Sequence, residues 1–220
     1  MEFHFLGVGP RRAGAAMREA LRKARRRPAG VLMLGVAGAV DPGMESGNLV
    51  LADKYALDAD GESANDISPD AWMLELAESV AADLRMPVAR ASSLTVDHLV
   101  VEGSERHHLR AKYGVGSVNM EDHAVAAAAG TAGVPFLSVR TILDTAEQSI
   151  PGYLPGLSKN RNAVVTEIML KPWRIPTLWK MKSQMDLCQD VLTRFGLSYL
   201  EREADRRKRH REKEASEAIY

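Results

Sequence analysis

Val31-Leu32-Met33-Leu34 is apolar at four successive positions. A strand with one wet face alternates polar and apolar residues, so an unbroken run marks a strand covered on both faces, as in the centre of a parallel sheet. The rest of the chain is punctuated to match. Further strands are expected at Glu2–Leu6, Asn48–Leu57, Val88–Val96, Ser117–Met120 and Phe136–Ile142. Helices are expected between them. One starts at Pro10, which suits a first helical turn, and runs to about Arg27 with Ala13, Ala16, Ala20 and Ala24 near helical spacing. A second opens at Ser68-Pro69-Asp70 and carries Met73, Ala77, Val80 and Leu84 on one face. Two more cover Ser104–Tyr113 and Glu121–Thr131. Strands that alternate with helices predict an α/β fold: a single domain with a mostly parallel mixed sheet, covered by helices on both faces.

Composition narrows what such a domain is for. The chain has 29 Lys+Arg against 29 Asp+Glu, a formal charge of zero, which argues against a general nucleic-acid binder. The lone Cys188 allows no internal disulfide and fits a reducing cytoplasm. The start Met1-Glu2-Phe3-His4-Phe5-Leu6 carries an acid and soon meets Gly7 and Gly9, so no leader peptide is expected. The uncharged run Ala124–Val139 contains Gly130, Gly133 and Pro135 and is shorter than the roughly 20 residues of a spanning helix.

After Asp144 the character changes. Thr145–Asn162 holds Pro151, Gly152, Pro155 and Gly156 and reads as a loop; helices broken by Pro172 and Pro176 come next. Glu201–Lys213 is almost wholly charged, which predicts a solvated helix or frayed tail. The expected organisation is an α/β domain over 1–162, packed helices over 163–200 and a charged tail over 201–220. Trp173, Trp179, Lys171, Lys180 and Lys182 beside Ile168, Leu170 and Met181 fit either an interfacial helix in peripheral membrane contact or core packing of the aromatics. Arg25, Arg26 and Arg27 fit either an anion patch or a helix end matched to its dipole.

Ligands of open α/β sheets bind beyond the carboxyl ends of the strands. Three segments leave strands with informative residues. Gly35-Val36-Ala37-Gly38-Ala39-Val40-Asp41-Pro42 offers backbone without bulk, either for a ligand or simply as a turn; it has neither the Lys-Ser/Thr of a phosphate loop nor the dinucleotide spacing. Val118-Asn119-Met120-Glu121 puts a carboxylate at the start of an Ala-rich helix. Glu121 is either a dipole-matched cap or an acceptor for two adjacent hydroxyls, as on a ribose, with Met120 against the sugar. Val139-Arg140-Thr141-Ile142-Leu143-Asp144 ends an apolar strand in a carboxyl group, either a cap for the next element or a partly desolvated proton donor.

In this order, the three segments resemble the nucleoside phosphorylase/nucleosidase superfamily, which includes purine nucleoside phosphorylases and methylthioadenosine/S-adenosylhomocysteine nucleosidases. Gly7-Val8-Gly9 followed by Ala13 resembles the turn into its first long helix, and the likeness covers roughly residues 3–146. Within the superfamily, the Gly-x-Ala-Gly stretch followed by Asp-Pro, and the helical part Leu170–Leu192, look most like the hopanoid-associated nucleosidase/phosphorylase group. The resemblance implies cleavage of a purine N-glycosidic bond, with adenosylhopane as one substrate and with water or phosphate as acceptor. Asp144 would protonate the leaving purine, and Met120 and Glu121 would hold the ribose. Leu99 and Val100 would wall the purine, with Asp97 and His98 beside it, His98 being either a base or structural. Gly35, Val36, Ala37 and Gly38 would form the glycine loop. No cofactor and no metal are implied; a homodimer is.

Two departures bear on the expectation. Relatives carry an opening strand and hairpin before the Gly-x-Gly turn, and the hydrolytic ones place a water-activating glutamate there; no such residue stands at that place in these 220. Phosphorolytic relatives use a serine and an arginine near the glycine motif, where Val36 and apolar neighbours stand here. Weak hydrolysis by this form is therefore expected, and a nucleoside-binding protein without turnover is the alternative.

Overall fold

The computed structural model describes residues 1–59, 62–150 and 175–217. Eight strands form one sheet: β1 (Val31–Ala39), β2 (Leu49–Leu51), β3 (Tyr55–Ala59), β4 (Glu62–Ile67), β5 (Val88–Arg90), β6 (Ser93–Thr95), β7 (Ser117–Asn119) and β8 (Phe136–Asp144), in the spatial order β4-β3-β6-β7-β1-β8-β2-β5. Four of the seven pairings are parallel and three antiparallel, so the sheet is mixed as expected. Five helices are described: α1 (Pro10–Lys23), α2 (Ala71–Asp83), α3 (Gly103–Tyr113), α4 (Asp122–Thr131) and α5 (Ile175–Glu217).

The strand β8 is the spine. It pairs in parallel with β1 along its whole length and antiparallel with β2. Its side chains alternate between two cores, because successive Cβ atoms point to opposite faces. Leu137 and Val139 pack with Met73, Ala77 and Val80 of α2 and with Phe195 and Tyr199 of α5. Phe136 packs with Ala13 and Met17 of α1 and with Val125 and Ala129 of α4. A third cluster, Val40, Leu94, Val96, Val100, Leu109 and Val118, sits under α3. Covered on both faces, β8 is buried at eight of its nine positions.

Several local expectations are corrected. Glu2–Leu6 forms no strand; it is exposed up to a half-buried Leu6, since an alternating segment becomes a strand only where a sheet edge pairs with it. Asn48–Leu57 and Val88–Val96 each split into two strands that pair in different parts of the sheet. The helix from Pro10 ends at Lys23, not near Arg27. Pro28 disfavours helical backbone just before it, and Arg27 reaches instead to the Gly133 carbonyl. Residues Gly35–Ala39, expected in a loop, belong to β1. The helix breaks expected at Pro172 and Pro176 involve residues outside those described; α5 is described from Ile175 and runs unbroken across position 200 to Glu217, so the charged segment takes the helical of its two expected forms. Composition changes at that boundary but the backbone does not, because Cys188, Phe195, Tyr199 and Glu203 keep one stripe buried on either side of it. The expected loop 145–162 is described only to Ile150, and Lys171, Pro172 and Trp173 lie outside the described residues. Trp179 is described and exposed, so core packing does not account for it. No helix among the described residues is long and apolar enough to cross a membrane.

Candidate active site

The strand β7 runs antiparallel to β1, with Val118 opposite Gly38. This changes the expected layout. The strands β1 and β8 finish together, Gly38 level with Asp144, while the residues after β7 run back along β1 toward Gly35. The segment carrying Glu121 therefore leaves its strand toward the opposite end of β1, and a ligand touching Asp144 and Glu121 would lie across the sheet. Gly35, level with Arg140, is three residues of β1 from Gly38, about 10 Å at strand rise.

Glu121 precedes α4, but its carboxylate does not cap that helix. The first amide groups of that helix are satisfied by other side chains: Asn119 Oδ1 accepts from the Glu121 and Asp122 N–H groups at 2.8 Å each, and Thr95 Oγ1 accepts from the His123 N–H at 2.9 Å. This removes the cap alternative. The Glu121 Oε1 accepts from the Gly9 N–H at 3.2 Å, and Oε2 accepts from Arg140 Nη2 at 3.1 Å. Gly9 is in a left-handed conformation, φ 97°, at the amino end of α1, whose positive dipole end faces this carboxylate. The Glu121 side chain keeps 12% of its surface exposed, and each oxygen retains a lone pair for a ligand hydroxyl. Met120 is half buried against the cluster under α3.

Arg140 is held from below by Asp122, a fully buried carboxylate. The Arg140 Nε donates to Asp122 Oδ1 at 2.9 Å, Nη2 approaches the same oxygen at 2.5 Å, and Nη1 donates to the Val36 carbonyl at 3.1 Å. Asp122 also accepts from Ser138 Oγ, Ser93 Oγ and Asn119 Nδ2 at 2.7, 3.3 and 3.0 Å. The glycine stretch owes part of its character to this guanidinium. A Cβ at Gly35 would stand 2.4 Å from Arg140 Nη1, so Gly35 clears room for an arginine rather than only for a ligand. Gly35→Ala is accordingly expected to lose about 1–3 kcal/mol by overpacking, since Arg140 is pinned on both sides; denaturant titration measures it. Asp122 has no place in the sequence reading, and Arg140 has no role in it. The available signal is an arginine in the middle of a strand that otherwise holds apolar and small hydroxyl residues up to Asp144, which requires a buried anion.

At the other end, Asp144 is buried, its side chain 9% exposed, and ion-paired to Arg106 of α3. The expected cap role is absent: the described residues after Asp144 form a turn, closed by the Gln148 N–H donating to the Thr145 carbonyl. Burial pushes the Asp144 carboxyl up from its ordinary range, and the Arg106 guanidinium offsets part of the rise. Gly38 is again the neighbour without a side chain, a Cβ there coming within 3.1 Å of Asp144 Oδ2.

The residues expected around the purine divide. Val100 is buried in the cluster under α3, whereas Leu99 and Asp97 are exposed. His98 is half exposed, with Nδ1 2.9 Å from Asp97 Oδ1 and Nε2 2.7 Å from Glu105 Oε1. Glu105 first and Asp97 second push its pKa up, and the ring ties this loop to α3. With both nitrogens engaged, the structural reading of His98 is favoured over that of a base.

Residues 6–155 match the family model of the phosphorylase superfamily. The chain belongs to this superfamily. Solved structures share its fold. A 5'-methylthioadenosine/S-adenosyl homocysteine nucleosidase of Campylobacter jejuni is 23% identical with a TM-score of 0.59, over 66% of this chain and 67% of its own. Futalosine hydrolase of Helicobacter pylori is 18% identical with a TM-score of 0.67, over 90% and 77%. The 5'-methylthioadenosine/S-adenosylhomocysteine nucleosidase of Neisseria meningitidis, in complex with methylthio-immucillin-A, is 16% identical with a TM-score of 0.68, over 89% and 78%. In this phosphorylase-superfamily chain, the sheet brings Glu121, Arg140 and Asp122 together at one place and Asp144 with Arg106 at another.

Proposed function

We propose that the chain cleaves the N-glycosidic bond of an adenosine-type nucleoside and releases adenine. The observation that carries this reading is the Asp144 carboxyl, buried at the end of β8, where burial pushes its pKa up and the paired Arg106 offsets part of the rise. A buried carboxyl whose pKa is raised holds a proton more readily than an exposed one and is suited to give it to the imidazole-ring nitrogen of a departing purine. The C–N bond breaks with its electron pair going to the base, and positive charge develops on the ribose as in other glycosyl transfers. Glu121 accepts hydrogen bonds from the ribose hydroxyls, Met120 lies against the sugar, and water or phosphate takes the anomeric carbon. The nucleosidases among the solved relatives support the reaction class. The finer assignment, to adenosylhopane, rests on the resemblance of the Gly-x-Ala-Gly and Asp-Pro segments to the hopanoid-associated group.

The test is incubation with adenosine, 5'-methylthioadenosine and an adenosyl-lipid, each with and without phosphate, following free adenine. Nucleoside binding without release under every condition would replace the enzyme reading by that of a binding protein. The role of Glu121 is tested separately. Glu121→Gln removes the charge from a hydrogen bond whose ionic form is worth about 1.5–3 kcal/mol, so kcat/KM for ribonucleosides should fall on the order of tenfold or more. A 2'-deoxynucleoside should lose less; an equal loss for both sugars would assign Glu121 to holding Gly9 and Arg140 alone.

A further inference from the structure

Arg106 is indistinguishable in the sequence from the other charged residues of its helix. In the fold its side chain is 1% exposed, the largest of the fully buried side chains among the described residues. A guanidinium remains charged at any pH a protein survives, so its burial demands partners. It finds them on three separate segments. The Nη1 donates to the carbonyls of Ala39, at the end of β1, and of Thr145, after β8, at 3.1 Å each. The Nη2 donates to the Val100 carbonyl at 3.1 Å and pairs with Asp144 Oδ2. One side chain thus ties the end of the glycine strand, the loop with Leu99 and Val100, and the end of the strand carrying the proton donor.

We propose that Arg106 is a positioning residue for the reaction, fixing the Asp144 carboxyl between these three segments and stabilising the carboxylate left after its proton moves to the departing purine. The inference rests on the nucleosidase reading above. Its physical content is a balance. A carboxyl group buried without a cation holds its proton too firmly to give it up, because the conjugate base would be an uncompensated buried charge. A carboxylate paired to a cation in the open loses its proton too early. Arg106 compensates the charge at the buried Oδ2, which leaves Oδ1 to carry the transferable proton, and its two terminal nitrogens also donate to the Ala39, Thr145 and Val100 carbonyls, which fixes where the carboxyl stands. Among the described residues, Arg106 of α3 is the charged group that faces Asp144. The Cys188 thiol of α5 lies in the field of the same carboxyl and is kept neutral by burial, while β1 and β7 present Gly38 and Val118 there.

The test uses the full chain labelled with carboxyl 13C aspartate. The Asp144 signal is assigned by its loss in Asp144→Asn and titrated in the wild type, Arg106→Met, Arg106→Lys and Gly38→Ala. Removing the guanidinium should move the Asp144 midpoint upward by on the order of one to three pH units, with Arg106→Lys between the wild type and Arg106→Met. The alkaline limb of the pH profile for adenine release should move the same way, since that limb reports the loss of the acid's proton. Gly38→Ala keeps both charges but puts a Cβ 3.1 Å from Asp144 Oδ2 and 3.2 Å from Arg106 Nη1. It should crowd the pair and give a smaller shift of the same sign, so the proposal is decided even where Arg106→Met does not fold. An unchanged Asp144 midpoint in the folded variants, with an unmoved alkaline limb, overturns it. A wild type that releases no adenine at any pH overturns the assigned reaction instead, and the carboxyl titrations then still report whether Arg106 and Asp144 are coupled.

Discussion

Asp144→Asn is expected to lower the rate of adenine release by about 10²–10⁴, the usual worth of a positioned proton donor. Asparagine has the size of aspartate and keeps an oxygen that Arg106 can donate to, so the end of β8 has no steric reason to move. What it lacks is a transferable proton. The loss should therefore fall on kcat, with nucleoside affinity and the circular dichroism spectrum close to those of the wild type. Single-turnover adenine release at saturating nucleoside, together with a binding isotherm, separates the two. An unchanged turnover in the asparagine variant would remove Asp144 from the chemistry.

Asp122→Ala should have the largest effect on stability. Asp122 is fully buried and collects Arg140, Ser138, Ser93 and Asn119. Its removal strands part of a buried guanidinium and several polar groups, and breaking a buried pair on one side costs about 3–5 kcal/mol. At roughly 2–4 °C per kcal/mol for a chain of this size, the melting midpoint should fall by on the order of 10 °C. The same network holds Arg140, and through it Glu121, so nucleoside binding should weaken as well. A calorimetric midpoint equal to that of the wild type would show that the network stabilises nothing that water cannot replace.

Much of the fold is legible in the sequence because it depends on local patterns. The unbroken Val31–Leu34 run predicts a strand covered on both faces. It is a strand, and Leu32 packs on one core and Val31 and Met33 on the other, but the run is only partly buried and Leu34 is exposed, because β7 pairs with β1 only at Gly38 and Ala39. Ser68-Pro69-Asp70 marks the start of a helix, and Asp70 Oδ1 lies 3.5 Å from the Met73 amide as a cap does. The fate of Glu2–Leu6 and the break inside Asn48–Leu57 are not legible, because strand existence and strand breaks depend on which edge is on offer.

The carboxylates Glu121 and Asp144 stand out in the sequence by their places after strands, and each has two readings there. For Glu121 the decision comes from Asn119 and Thr95, which satisfy the helix amides and leave the carboxylate to Gly9 and Arg140. For Asp144 it comes from Arg106, 38 residues earlier. The sequence by itself determined where carboxyl groups, glycines and apolar strands stand along the chain, since those depend on neighbours a few residues apart. Only the tertiary structure decided what each carboxyl group faces. Burial and charge pairing are properties of groups distant in sequence, and no pattern within α3 distinguishes an arginine bound for the core from one bound for water.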